Sequence, residues 1–319
     1  MKPSLRRMLS VSLLLCLSAI GARADDKAKA AKPGKGKPSV AVEAQTSTSA
    51  VDENQTPIKF ALSAPLGIER AKEDAQELAS MLTKVMGRTV VAEVVASKDI
   101  PKLLAAGKID IGFLSAMEYL DAADLSQGRV APAAKLVRSG LPFYRSVLFT
   151  RVDVKGISTP KDVRGKRLAF VSETSASGFQ LPRLMLMAAG LSDLEIRKQS
   201  SFLGDHAAVC KAVLDGRADV GATISNDRAG GAIAGCAETE PTRVGELRVV
   251  ALSDPIPNDV FVVRPDLPPQ HFQSVRNALV ALSNSPEGKK ALADIFSADA
   301  FVAADDSDFA MLRGTLHPQ

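Results

Sequence analysis

The sequence predicts an α/β protein of two lobes, each a mostly parallel sheet flanked by helices. Three observations support this. From Pro57 onward short apolar runs alternate with amphipathic stretches, the order that builds a parallel sheet covered by helices. Two segments about 110 residues apart repeat one pattern: Leu103-Leu104-Ala105-Ala106-Gly107-Lys108-Ile109-Asp110-Ile111-Gly112 and Ala212-Val213-Leu214-Asp215-Gly216-Arg217-Ala218-Asp219-Val220-Gly221. Each reads as a helix, a glycine stop, a basic residue and a strand with aspartate at its second position. Finally, about 260 residues follow Pro57 in the 319-residue chain, enough for two modest domains.

Taken in order, Ile58 to Leu62 reads as a strand. Arg70 to Met86 is an amphipathic helix with Ala71, Ala75, Leu78, Leu82 and Val85 on one face and Gly87 as its stop. Val90 to Val95 is a strand, Ile100 to Ala106 a helix, Ile109 to Leu114 a strand, and Ala116 to Ala123 a helix. A second unit starts near Arg151, with a short helix start at Thr159-Pro160 and a buried strand at Arg167 to Val171. Small hydroxyl residues and a glycine, Ser172 to Gly178, then lead into a helix. Pro182 cannot donate a backbone hydrogen bond, so a short turn over Ser175 to Gly178 should precede the main helix, which starts near Pro182. Ala207 to Leu214 is a helix, Ala218 to Ala222 a strand, and Leu247 to Leu252 leads to Asp254-Pro255-Ile256-Pro257. One more strand begins near Phe261, and helices follow over Phe272 to Ser283 and Pro286 to Phe296.

The first 24 residues have the form of a secretory signal: basic Lys2, Arg6 and Arg7, an apolar run from Met8 to Ile20, and small residues at Ala22-Arg23-Ala24. That run is short for a transmembrane span. Cys16 raises lipid attachment as an alternative, but Leu13-Leu14-Leu15 lacks the small residue such a site carries, and Cys16 is read as part of the apolar run. Residues 25–56, rich in Ala, Lys, Pro, Gly, Ser and Thr, read as a disordered linker. The whole chain carries 40 Lys+Arg against 36 Asp+Glu, hence +4; residues 1–24 hold four basic residues and no acid, so the remainder balances at 36 against 36. A basic nucleic-acid footprint is absent. The mature protein is expected outside the cytoplasm.

The chemistry-bearing residues are few. The Ser175–Gly178 junction, at the start of a helix, is either a plain N-cap or an anion site built from outward N–H groups and serine hydroxyls, with Gly178 allowing close approach of a ligand. His206 and Tyr144 are each open to a structural or a ligand role; Tyr119 reads as a packing tyrosine. Asp110 and Asp219 are expected to bond local backbone. Cys210 and Cys236 remain after cleavage, and an oxidising compartment would permit a disulfide whose geometry the sequence does not supply. No Cys/His cluster has metal-ligand spacing, no cofactor motif is present, and there is no G-x-S-x-G elbow of the kind a hydrolase on this scaffold would need.

Several motifs in order then resemble the periplasmic phosphonate/phosphite-binding proteins of ABC transporters, over most of Pro57 to about Pro265. They are Ile109-Asp110-Ile111-Gly112-Phe113 followed by Ser115-Ala116-Met117-Glu118; Tyr144-Arg145-Ser146-Val147; Ser175-Ala176-Ser177-Gly178; His206; Asp219; and Ile256-Pro257-Asn258-Asp259. The resemblance implies a type II periplasmic binding fold with a two-crossing hinge. Lobe one would comprise 57–148 plus 257–319 and lobe two 149–256, with crossings near Ser146 to Val152 and Leu252 to Pro257. It implies a phosphorus oxyanion held by Ser175, Ser177, the backbone of Ala176, Tyr144, His206 and Asp259. Asp259, an acceptor, would select a ligand oxygen that still carries a proton. The departures are Ala176 for a threonine, Ser97 where the family has a tyrosine, and Asn226, with Asp227 beside it, where some members place a carboxylate for an aminoalkyl group. They favour phosphite, methylphosphonate or phosphate over an aminoalkylphosphonate. The expectation is a monomeric binding protein without bond-making chemistry that presents a small phosphorus oxyanion to an ABC permease in the inner membrane. A same-fold protein serving a sensor kinase or chemoreceptor is the alternative, and a hydrolase a third reading.

Overall fold

A computed structural model describes residues 56–64, 67–226 and 231–316. The expected signal segment, Cys16, the linker as far as residue 55, and Asp227 lie outside these residues.

The chain first lays down β1 (Ile58–Leu62), α1 (Ile68–Met86), β2 (Val90–Val94), α2 (Ile100–Ala105), β3 (Ile111–Leu114), α3 (Ala116–Leu125) and β4 (Ala131–Val137). It then builds β5 (Phe143–Arg151), β6 (Leu168–Phe170), α4 (Leu181–Ala188), α5 (Asp193–Gln199), β7 (Ser200–Phe202), α6 (His206–Leu214), β8 (Val220–Ser225), α7 (Ala234–Thr239), β9 (Leu247–Leu252) and β10 (Ile256–Pro257). It returns with β11 (Val260–Val263), α8 (Pro269–Leu282), α9 (Pro286–Phe296), β12 (Ala300–Ala303) and α10 (Ala310–Leu316). The strands form two sheets, in the orders β12-β4-β11-β3-β1-β2 and β10-β5-β8-β6-β7, with β9 also pairing with β5. The parallel arrangement holds for β2-β1-β3 and β7-β6-β8. Antiparallel β11, β4 and β12 complete the first sheet, and β5, β9 and β10 the second.

The first sheet buries Phe60 and Phe261 against Leu78 and Leu82 of α1, Leu279 of α8 and Leu292 of α9. Its other face packs on Leu104, Leu120 and Leu312 from α2, α3 and α10. The second sheet is covered likewise, by Val209 and Val213 of α6 on one side and Leu186 and Ile196 of α4 and α5 on the other. Cys210 and Cys236 are joined in a disulfide that ties α6 to α7 across 26 residues. Chain-entropy reasoning for a loop of that length puts the stabilisation at about 3.5 kcal/mol.

The repeated aspartates have matching partners. Asp110 accepts from the N–H of Lys59 on β1 at 2.8 Å, and Asp219 from the N–H of Arg167, just before β6, at 2.8 Å. Each therefore ties the third strand of its unit to the first, a partner more than 50 residues away rather than local. Arg264 at 2.6 Å and Arg167 at 2.7 Å neutralise them. Tyr119 is buried, its hydroxyl donating to Asp306 and its ring lying 4.3 Å from that of Phe309, a packing role. Burial raises its hydroxyl well above the usual tyrosine value.

Strand pairing relocates the first crossing. β5 pairs only within the second sheet, so the change of sheet expected near Ser146 to Val152 falls instead in the turn between β4 and β5. That turn is a two-residue hairpin. Arg138 and Leu141 exchange backbone bonds at 2.9 and 3.0 Å, and Ser139 and Gly140 both adopt positive φ, 51° and 71°. The return crossing lies between β10 and β11, and Asn258 sits in it, 2 % exposed. Its Nδ2 donates to the carbonyls of Leu136 at 3.0 Å and Leu141 at 2.8 Å, and its N–H to Pro142 at 3.2 Å. One side chain thus fastens the two crossings together.

Asn258→Ala leaves the Leu136 and Leu141 carbonyls buried without that donor, and should lower unfolding stability by about 2 kcal/mol. A urea midpoint unchanged from wild type would show that the crossings do not depend on this side chain.

Candidate functional site

The two sheets and their crossings enclose a cleft of about 550 Å³. Its walls include Ser115, Ala116 and Met117 at the start of α3, Arg138 and Ser139 in the hairpin turn, Tyr144 at the start of β5, and Thr174 to Ser177 after β6. His206 at the start of α6, Asn226 after β8, Glu238 on α7, Asp259 before β11, and Phe296 and Ser297 at the end of α9 also line it.

The loop at Ser175 forms because two rigid requirements meet there. After Ser175 the chain makes a π-helical turn, Ala176–Gln180, with the N–H of Gln180 reaching the Ser175 carbonyl at 2.9 Å, and runs directly into α4. Pro182, at the second position of α4, has no N–H for the Gly178 carbonyl. Val171 supplies it instead at 3.2 Å, closing the loop onto the strand that precedes it. A Cβ on Gly178 would lie 2.5 Å from Val171 Cγ2, so this position is glycine because the loop packs on Val171 and not, as the sequence suggested, to admit a ligand. Ser175 Oγ accepts from the N–H of Gly178 at 3.0 Å and retains its own proton. The N–H groups of Ala176 and Ser177 lie in the first turn, where no helical acceptor exists.

β5 holds this loop from the side. Tyr144 and Ser146 lie on one face, two residues apart, and Ser146 Oγ donates to the Ser177 carbonyl at 2.6 Å while Tyr144 lies beside the Ser177 hydroxyl. Arg145 points the other way, to the Ser253 carbonyl at 2.7 Å. Burial, together with the nearby Asp259 carboxylate, pushes the Tyr144 hydroxyl far above its ordinary value, against the opposing effects of Arg138 and Ser177, so it remains a donor across the working pH range.

His206 is the first residue of α6, capped by Asp205, whose carboxylate accepts from Ala208 at 2.7 Å. Its Nδ1 lies 2.9 Å from the hydroxyl of buried Thr223. Burial lowers its pKa from the usual 6.5, outweighing the attraction of Asp205. In the neutral tautomer in which Thr223 donates to Nδ1, the ring carries its proton on Nε2.

Seven of the eight residues singled out from the sequence line this one cleft: Tyr144, Ser175, Ala176, Ser177, His206, Asn226 and Asp259. Ser97 does not. β2 is the edge strand of its sheet, so the turn after it lies at the periphery, where Ser97 is exposed and its hydroxyl donates to Glu118. Asp259 also has a partner within the chain. Its Oδ2 takes a hydrogen bond and an ion pair from Arg138 Nη2 at 2.8 Å, so its charge faces a guanidinium already present in the cleft. Asn226 donates to Ser139 Oγ at 3.3 Å.

Cleft residues not singled out as ligand contacts from the sequence include Arg138, Ser139, Glu238, Ser297 and the start of α3, which it marks only as a motif. Only the last had a local signal: Ser115 and Glu118 form a capping box, with Ser115 accepting from the Glu118 N–H at 3.3 Å and Glu118 from the Ser115 N–H at 2.8 Å. Electrostatically, the starts of three helical segments, at Ala116, Ala176 and His206, all border the cleft, each presenting the positive end of its dipole. Among the described residues no cluster of His, Cys, Asp and Glu could hold a metal ion, and no helix is long and apolar enough to cross a membrane.

The fold and cleft define a two-sheet protein with a cleft bordered by three helix starts, Arg138 and several hydroxyls. A family model described as the periplasmic substrate-binding protein of phosphonate ABC transporters matches residues 67–309, and the chain belongs to that family. The phosphate-import protein PhnD of Mycolicibacterium smegmatis is 25% identical over 226 residues, 67% of this chain and 68% of that protein. A binding-protein component of an ABC phosphonate transporter from Pseudomonas aeruginosa superposes with a TM-score of 0.60 at 22% identity, covering 82% of this chain and 85% of that one. PhnD1 from Prochlorococcus marinus in complex with methylphosphonate gives 0.61 at 19% identity, covering 82% and 97%. These structural likenesses show the type II periplasmic binding fold.

The depressed His206 pKa has a consequence for stability. Below about 6.5 the unfolded chain gains a proton that the folded His206 resists, so stability is lost as pH falls through that value, and the loss levels off below the folded pKa. Urea unfolding between pH 7.5 and 5 should show this decline, and His206→Gln should flatten it. Superimposable profiles for the two proteins would remove His206 as its source.

Proposed function

We propose that the protein captures a small phosphorus oxyanion in this cleft and presents it to an ABC permease, acting by binding alone. The observation that carries this reading is the convergence of the helical starts at Ala116, Ala176 and His206 on one cleft that also holds Arg138 and the hydroxyls of Ser175, Ser177 and Tyr144. Donors of this kind, preset by backbone geometry, suit a tetrahedral anion. In this reading Ser175, Ser177, the backbone of Ala176, Tyr144 and His206 donate to the ligand, Arg138 balances its charge, and Asn226 borders it. Two of the relatives named above, one a phosphate-import protein and one a complex with methylphosphonate, support phosphate or a phosphonate as the ligand class. An amino-terminal signal over residues 1–24, delivering the protein to the periplasm, is part of the same proposal.

Calorimetry with phosphate, phosphite and methylphosphonate tests it directly, and at least one should bind. Ser177→Ala should cost about 1.5–3 kcal/mol of that affinity, the range for a hydrogen bond to a charged group, with little effect on folding. Failure of all three ligands to bind or to raise the melting temperature of the wild type would overturn the reading.

A second prediction follows from the Arg138–Asp259 pair. Asp259→Asn removes a negative charge facing the ligand and releases Arg138 from it, so binding of the dianion should tighten, more at pH 8.5 than at pH 6. Weaker dianion binding by the variant would show that Asp259 acts chiefly by orienting Arg138.

A further inference from the structure

A second cavity, of about 310 Å³, adjoins the cleft and shares Arg138, Asp259, Phe296 and Ser297 with it. Beyond these its walls are mainly apolar: Leu62 at the end of β1, Ala71 on α1, Phe113 on β3 and Ile295 on α9. Its further polar boundary is Ser63 and the ion pair between Arg70 and buried Asp74, at 2.9 Å. Every lining residue belongs to the first sheet, its helices or its crossings, so movement of the second sheet's unit against the first would not by itself remove this space.

We propose that this side chamber receives a hydrocarbon substituent of the bound phosphorus compound, so that the preferred ligands are organophosphonates with a chain longer than methyl. The proposal rests on the oxyanion reading above and adds a substituent subsite to it. A bare tetrahedral anion has no use for the chamber, since the helix starts and hydroxyls that would hold it lie on the cleft side. At about 30 Å³ per water-sized volume the chamber has room on the order of ten heavy atoms. Its aliphatic and aromatic walls favour carbon over polar groups. The Arg138–Asp259 pair stands at the junction of the two spaces, which lets Arg138 face the phosphorus group while its substituent passes beside Phe296 and Ser297 into the chamber. Ser297 is one of four non-glycine residues with positive φ among those described, and it holds that conformation, φ 48°, while lining both spaces.

The test is calorimetric, on the full chain, with methylphosphonate, n-butylphosphonate and phenylphosphonate as probes. Each buried methylene is worth about fourfold, the ratio given by about 0.8 kcal/mol, so butylphosphonate should bind wild type at least tenfold more tightly than methylphosphonate. Ala71→Leu and, separately, Ile295→Phe narrow the chamber from two different helices. Each should abolish the butyl and phenyl advantage while leaving methylphosphonate affinity unchanged, which also certifies that the variant is folded. Butylphosphonate binding no tighter than methylphosphonate to the wild type overturns the chamber proposal and leaves the oxyanion reading standing. An advantage that survives both variants overturns it too, by placing the chain elsewhere in the cleft. If no phosphorus anion binds at all, the oxyanion reading itself fails, and that result is distinct from either.

Discussion

Asn258 is the constraint on which the rest of the arrangement depends. Two sheets joined by two strands of chain have no fixed relation unless the crossings are themselves fixed, and here one buried amide bonds the backbone of both sides of the first crossing from within the second. Its neighbours in chain order are consequently placed. Asp259 follows it directly and meets Arg138, which the hairpin turn holds at the opposite side of the same junction. Pro257 and Ile256 precede it and pair with Phe143 and Tyr144, delivering the tyrosine to the cleft. A carboxamide suits this position because its two N–H protons satisfy two carbonyls at once without burying a charge.

The cleft is electrostatically mixed and its signs are not scattered. Helical starts at Ala116, Ala176 and His206 contribute backbone N–H groups, and Arg138 contributes a full charge, while Asp259 offsets part of it. A fully paired cleft would bind anions poorly; an uncompensated guanidinium would be costly to hold where it is a third exposed. The ion pair resolves this by keeping Arg138 satisfied while leaving its Nη1 without a hydrogen-bond partner among the described residues. Hydroxyls and neutral His206 add directional donors without adding charge.

The loop after β6 also shows how a packing demand shapes a wall of the cleft. Val171, Gly178 and Pro182 form one mechanical unit: proline removes a helical donor, valine's N–H replaces it, and glycine lets the loop lie against valine's side chain. The result turns Ser175 and Ser177 to the cleft. The disulfide between α6 and α7 steadies the opposite wall, since α6 carries His206 and α7 carries Glu238.

Local pattern determined the helices with glycine stops, the two strand–helix repeats, the turn before Pro182 and the hydroxyl loop, because each is set by residues within a few positions of one another. The order of motifs was also enough for the family, and for the membership of Tyr144, Ser175, Ser177, His206, Asn226 and Asp259 in one cleft. Tertiary structure alone decided the rest. That β5 belongs to the second sheet depends on pairing with β8 and β9, about 75 and 100 residues away. That Arg138 faces Asp259, 121 residues later, depends on Asn258 closing the crossings. Ser97 fell outside the site because β2 is an edge strand, which no local pattern records. Hydrophobic period and turn chemistry act over short stretches of chain, whereas charge pairing and cleft shape arise only where distant segments are brought within a few ångströms.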